Sequence, residues 1–384
     1  MKNFVLSAEN LPSFAERFTW LAIDTERADN ASFTSQLPVG VWPTFYVVTP
    51  DLEVHGRWLG AASPAQFARF LSDSQQTFEL AESAKLLPDD ARSLVRAADR
   101  AATRKEFADA AAKYELALLA APSNWPRRAD VLVSRISALF KAKAFDQCLD
   151  VAARHMGETG AAASAVDFAY YALECASVTT SSDAALATRR LAEGRLDGLC
   201  RQGSAELSPD DRADACDKWA SVLSALTKTA AARAATELRL GILERAASGK
   251  PDEVAVAYDW ARTDALLTLG RAEEALALAG ARERALPQNY NPPHYLAKGY
   301  KQLGKWPEGL AALERALGLA YGPRRIGLLS LKVDLLLGAG RELEALEVLR
   351  DQLGQYRALP AGQKQPAAET RVEKRLAELT PPGR

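Results

Sequence analysis

Leu303-Gly304-Lys305-Trp306-Pro307-Glu308-Gly309-Leu310 ends one apolar helical pattern and opens another. Leu296, Ala297 and Tyr300 fall at helical spacing before it, and Leu313, Ala316 and Leu317 do so after it. Thirty-four residues earlier the phrase returns as Leu269-Gly270-Arg271-Ala272-Glu273-Glu274-Ala275, with Pro287 closing the unit. Thirty-six residues later it returns as Gly340-Arg341-Glu342-Leu343-Glu344-Ala345-Leu346. Two helices approach closely only where a small side chain stands at their crossing, so the recurring Ala and Gly positions mark helical pairs in tandem. Such pairs bury their apolar faces against one another as a solenoid.

This pattern closely resembles the tetratricopeptide (TPR) repeat. Leu94, Ala97, Ala98, Ala101, Phe107, Ala110, Tyr114, Ala117 and Pro122 fit the same pattern. A looser unit runs from Leu132 to His155, with Phe145 at its aromatic position and Cys148 at its small one. Repeats are therefore expected over residues 86–160 and 251–384, with divergent helical pairs over 161–250. In that middle stretch Ser208-Pro209-Asp210-Asp211 is a helix start: serine caps, proline takes the first position and the acids face the positive end of the dipole. Pro366 to Leu379, rich in Glu, Arg and Lys, reads as a solvated capping helix.

The first 80 residues differ in kind. Phe18-Thr19-Trp20-Leu21-Ala22-Ile23-Asp24 is apolar nearly throughout, as a strand covered on both faces is. Phe45 to Val48 and Val54 to Leu59 flank the turn Thr49-Pro50-Asp51 and predict a hairpin. Ser63-Pro64 starts a helix whose apolar stripe is Phe67, Phe70 and Leu71.

The order of strand to Asp24, short helix near Ala31 to Leu37, then Val41-Trp42-Pro43-Thr44, hairpin, Gly60 and closing helix resembles the thioredoxin superfamily. The resemblance implies a cis bond before Pro43 and a peptide-binding groove lined by Trp42, Pro43 and Thr44. It departs from the family in one respect: no Cys-x-x-Cys is present, the first cysteine being Cys148. Met1 to Ser7 looks like the segment that follows that motif, so the resemblance places the redox pair and two strands upstream of Met1. The expected fold class is thus a partial α/β thioredoxin-like domain over residues 1–80, followed by an all-α TPR-like solenoid.

Composition narrows the function. Lys and Arg total 48 against 49 Asp and Glu, with no basic stripe of the kind nucleic-acid binding uses. No apolar run reaches the roughly 18 residues of a membrane span, so the chain as given reads as a soluble cytoplasmic protein. Cys148, Cys175, Cys200 and Cys216 have no metal-ligand spacing. Packing is the expected role of each, with a Cys200–Cys216 disulfide as the alternative. His55, His155 and His294 lie far apart in sequence, and no catalytic constellation, metal site or cofactor loop is expected.

Three functions remain open. The first is a scaffold binding proteins or peptides through its repeat groove, carrying a thioredoxin-like domain without redox cysteines and without catalysis of its own. The second is a thiol-disulfide oxidoreductase whose Cys-x-x-Cys lies upstream. The third is a structural or oligomerisation scaffold. Lys298 and Lys301 suggest a carboxylate clamp, but the neighbouring helix offers Ser330 and Asp334 where asparagine would be needed.

Overall fold

A computed structural model describes residues 5–6, 11–179 and 182–380. In chain order the elements are α1 (Pro12–Ala15), α2 (Ala31–Gln36), β1 (Thr44–Val48), β2 (Val54–Leu59), α3 (Pro64–Glu82), α4 (Ala91–Thr103), α5 (Phe107–Ala120), α6 (Arg128–Lys141) and α7 (Phe145–His155). Then follow α8 (Ala163–Val178), α9 (Ser182–Gln202), α10 (Pro209–Ala225), α11 (Thr229–Ala247), α12 (Asp252–Thr268), α13 (Ala272–Ala285), α14 (Asn291–Gln302), α15 (Trp306–Leu319), α16 (Gly322–Gly338), α17 (Glu342–Ala358) and α18 (Pro366–Leu379). They form two compact units, one of residues 1–21 and 39–242, the other of residues 22–38 and 243–384.

One backbone device builds the helical pairs in both units. Gly270, Gly304 and Gly340, at the breaks of the repeated phrase, have φ of +77°, +68° and +73°. Each is followed by an N–H that reaches back five residues: Arg271 to the Leu266 carbonyl, Lys305 to Tyr300 and Arg341 to Leu336, at 2.8–2.9 Å. This pattern closes a helix by satisfying its orphan carbonyls and turns the chain into the next helix. The same turn recurs at Lys105, Lys143 and Thr227, with φ of +64°, +60° and +59°. There the long-reach bonds are Glu106 to Ala101, Ala144 to Leu139 and Lys228 to Leu223. The turn from α10 into α11 is therefore of the repeat type, inside the stretch where the sequence phrase is absent.

In the first unit β1 and β2 pair antiparallel, Phe45 opposite Trp58 and Tyr46 opposite Arg57, with an irregularity between Val47 and Val48. The predicted hairpin and the start of α3 are both present. Ser63 caps α3 in a reciprocal box with Gln66, with Pro64 in its first turn. Phe67, Phe70 and Leu71 turn inward onto Trp58, Phe14 and Leu11. Charged groups pin this hairpin layer to the helices. Asp99 of α4 accepts hydrogen bonds from the Arg57 N–H and the Tyr114 hydroxyl, and its burial pushes its pKa up to about 6. Arg127 is buried between Asp73 and Asp130, 2.7 Å from each.

Two expectations are corrected here. Phe18 to Asp24 forms no strand: Trp20 and Leu21 stand 45% and 72% exposed, and the chain passes from the first unit to the second after Leu21. A strand persists only where neighbours satisfy its backbone groups, and among the described residues β1 and β2 pair with each other alone. A thioredoxin-like α/β domain is accordingly not shown. What stands is a two-stranded hairpin backed by α3. Of the Met1 to Ser7 segment, only Val5 and Leu6 lie within the described residues.

The second correction concerns the cysteines. Cys148 on α7 is bonded to Cys175 on α8, and Cys200 on α9 to Cys216 on α10, with S–S distances of 2.04 and 2.08 Å. All four are buried as packing residues would be, but pairing of consecutive helices brings them face to face. Sequence spacing of 27 and 16 residues carries no sign of which helix faces meet.

In the second unit the repeat positions form the core. Leu296, Ala297, Leu313, Ala316 and Leu317 are buried together, with Tyr300 and Trp306 packed against them. Small residues sit where helices cross: a Cβ on Gly309 would stand 2.6 Å from Leu335, and one on Gly338 2.6 Å from the Trp306 ring. Lys301 is ion-paired with Asp334, so it does not stand ready as a clamp lysine. α18 covers the end of the stack through Ala368 and Val372. The segment of residues 22–38 also belongs to this unit. Gln363 donates to the Thr25 carbonyl at 2.9 Å, and the Glu26 carboxylate accepts the Arg324 N–H at the start of α16.

Candidate functional site

The loop ahead of β1 and the first residue of that strand carry the three residues predicted to bind peptide. The Trp42–Pro43 bond is cis. The Pro43 carbonyl accepts the Gly60 N–H at 2.9 Å, and the Thr44 hydroxyl donates to the Val41 carbonyl at 2.6 Å. Both groups thus brace the loop, and the face offered to solvent is the Trp42 indole, 62% exposed. Gly60 has φ of +76°, and a Cβ there would stand 2.4 Å from the Asp167 carboxylate. Only glycine allows this approach, in which Asp167 accepts the Ala61 N–H at 3.2 Å.

Behind the loop lies a cavity of about 420 Å³. The main chain at Gly40, Val41 and Gly60 forms one wall, and side chains of α6, α8 and α10 form the others. α8 packs against both α6 and α10, so the charges are ordered across the cavity: Lys141 on α6, Asp167 on α8, then Asp214 and Lys218 on α10. Among the described residues Lys141 makes no ion pair. Its ammonium lies over the Phe107 ring, 5.5 Å from the centroid, and against Gly40. Burial, with Arg57 adding repulsion, lowers its pKa to about 8.

The acids shift the other way. Burial and the neighbouring Asp211 and Asp214 carboxyls push Asp167 well above the usual carboxylate range. Asp214 is reached by solvent yet recessed among protein groups, and that partial desolvation raises it to about 6. Asp211, buried beneath them and hydrogen-bonded to Ser208, rises to about 7. Lys218 and Arg239, the cations acting on Asp214, are both engaged by Asp217, at 2.9 and 3.0 Å. Tyr171, 4% exposed, borders the cavity, and its hydroxyl is sealed from solvent beside Ser137.

Sequence reasoning reached the loop and missed the cavity. Lys141 closes an ordinary repeat helix, and Asp167, Tyr171, Asp214 and Lys218 lie in the divergent stretch. The one local signal there is the four-residue spacing of Asp167 to Tyr171 and of Asp214 to Lys218, which puts each pair on one helix face. Among the described residues no group of His, Cys, Asp and Glu has the arrangement of a metal site, and no helix is long and apolar enough to cross a membrane.

No protein-family model and no curated protein matches the chain. Among solved structures it is similar to a tetratricopeptide repeat protein from Parabacteroides merdae ATCC 43184. That similarity has a TM-score of 0.47 and 11% identity, over 75% of this chain and 98% of that one. It is also similar to the assembly chaperone of RpL4, Acl4 (residues 1–338), with a TM-score of 0.35 and 16% identity, over 75% and 97% of the two chains. The repeat architecture rests on this chain's own turns and packing.

Proposed function

We propose that this chain is a protein-interaction scaffold whose first unit holds a peptide of a partner protein at Trp42, Pro43 and Thr44 and in the adjoining cavity. The observation carrying this reading is the cavity itself. It has the volume of a small-ligand site, polar groups converge on it, and an exposed tryptophan stands on the same loop as its main-chain wall. Exposed aromatics beside a concave site are the anchors on which binding energy concentrates. Helical-repeat frameworks supply such concave surfaces by stacking.

Peptides selected against the intact chain from a random display library test this. Trp42→Ala is expected to weaken their binding by about tenfold or more, with the fold unchanged by circular dichroism. Selected peptides that bind Trp42→Ala and Lys141→Glu as tightly as the parent chain would overturn the assignment.

Thiol-disulfide exchange draws no support from these residues, since all four cysteines are tied in disulfides. The same two cross-links favour an oxidising compartment over the cytoplasm expected from composition, because such bonds persist chiefly where thiols are not kept reduced.

A further inference from the structure

The cavity is unevenly satisfied. Lys218 is spoken for by Asp217, and Lys141 stands on the far wall. The two acids that line the space, Asp167 and Asp214, therefore share a single hydrogen bond, from the Ala61 N–H to Asp167, among the described residues. On the opposite side the Lys141 ammonium has no carboxylate among the described residues. A partly buried ammonium without an anion costs free energy. A ligand that supplied an acceptor to Lys141 and a cation to Asp167 and Asp214 would satisfy both walls at once.

The spacing of the walls decides what kind of molecule does this. α6 and α10 both pack on α8, and packed helices lie about 8–10 Å apart. Lys141 and Asp214 are therefore carried by different helices with α8 packed against both. A short extended peptide, advancing about 3.3 Å per residue, reaches across in a few residues. Its main-chain carbonyls suit Lys141, and a side chain must carry the cation.

Resting on the peptide-binding reading above, we infer that the cavity selects a peptide segment bearing lysine or arginine, its cation seated between Asp167 and Asp214 and a main-chain carbonyl met by Lys141. The Trp42 loop then holds the flanking residues, and the α8–α10 wall decides which sequences enter.

The test uses the intact chain and four degenerate pentapeptide libraries, identical except for a fixed central Lys, Arg, Gln or Glu, read by fluorescence anisotropy at low and at physiological salt. The Lys or Arg library is expected to bind about tenfold more tightly than the Gln library, the scale of one well-placed charge pair. Asp214→Asn should erase that preference, the Lys and Arg libraries then binding no more tightly than the Gln library measured on the same variant. Asp167→Asn, which keeps an acceptor for the Ala61 N–H, should reduce the preference as well. Equal binding of all four libraries would overturn the charge selection and leave the peptide site standing, as would a preference for Glu. Binding of none, with the chain folded, would overturn both the selection and the peptide site.

Discussion

At the scale of single residues, the helix breaks at Ala84 and at six further positions share one backbone conformation, and those six differ in how well their residue suits it. Gly270, Gly304 and Gly340 take positive φ without cost, whereas Lys105, Lys143 and the β-branched Thr227 bring a Cβ into a region where L-residues are strained. A Cβ on Gly340 would meet nothing within 4 Å, so Gly340→Ala isolates the backbone effect. It is expected to destabilise its unit by about 1 kcal/mol, while Thr227→Gly is expected to stabilise the other by about 0.5–1 kcal/mol. Urea unfolding curves check both. Equal midpoints for the parent and Thr227→Gly would mean that the turn at 227 carries no strain. These six positions also explain what the sequence could show. A glycine beside leucine is a visible signpost, and three of the hairpins were found by it. Lysine and threonine in the same conformation leave no mark, so the turn from α10 into α11 was hidden although its backbone is alike. Lys141, Asp167 and Asp214 were hidden for a different reason, since ordinary charged residues become a site only when three helices bring them to one concavity.

At the scale of elements, covalent links fall where the repeat phrase fades. Cys148–Cys175 ties α7 to α8, and Cys200–Cys216 ties α9 to α10. Non-covalent packing there relies on alanine and other small side chains: α8 buries Ala163, Ala165, Ala169, Ala172 and Ala176. Such faces bring helices close but bury little apolar area each. A cross-link closing a loop of 16 or 27 residues restricts the unfolded chain by roughly 3 kcal/mol. Cys200→Ala combined with Cys216→Ala should lower the stability of the first unit by about that amount. Adding reductant to this variant should lower it further through the remaining bond. A parent chain whose unfolding curve does not respond to reductant would show that the links contribute nothing. The hairpin of β1 and β2 was legible because alternation and turn residues are local signals. The stretch from Phe18 to Asp24 misled because its apolar run states an appetite for burial and cannot state whether a partner strand exists.

At the scale of the whole molecule, the two units should answer acid in opposite directions. In the first unit, burial raises Asp99 and Asp130 to about 6, Asp211 to about 7, and Asp167 likewise upward, while partial desolvation raises the solvent-reached Asp214 to about 6, from a usual 3.8. A carboxyl whose folded pKa exceeds its unfolded one holds its proton better when folded. Its stabilisation is complete below the unfolded value and is lost as pH rises through the folded one. His55, lowered by burial from 6.5 to about 4, works against this, one imidazole against five carboxyls. In the second unit His294 is lowered from 6.5 to about 3 by burial beside Lys298 and Arg324, and no raised carboxyl opposes it among the described residues. An imidazole kept neutral by folding loses stability as pH falls from the unfolded value toward the folded one. Between about pH 7.5 and about pH 5, therefore, the first unit is expected to gain stability and the second to lose it. Hydrogen exchange of the intact chain, corrected for the intrinsic rate at each pH, reads the two separately. Protection should rise in α6, α8 and α10 while it falls in α14 to α16. His294→Gln should flatten the second response and leave the first unchanged. A parallel shift of both units would show that the burial of these groups does not govern their response to acid.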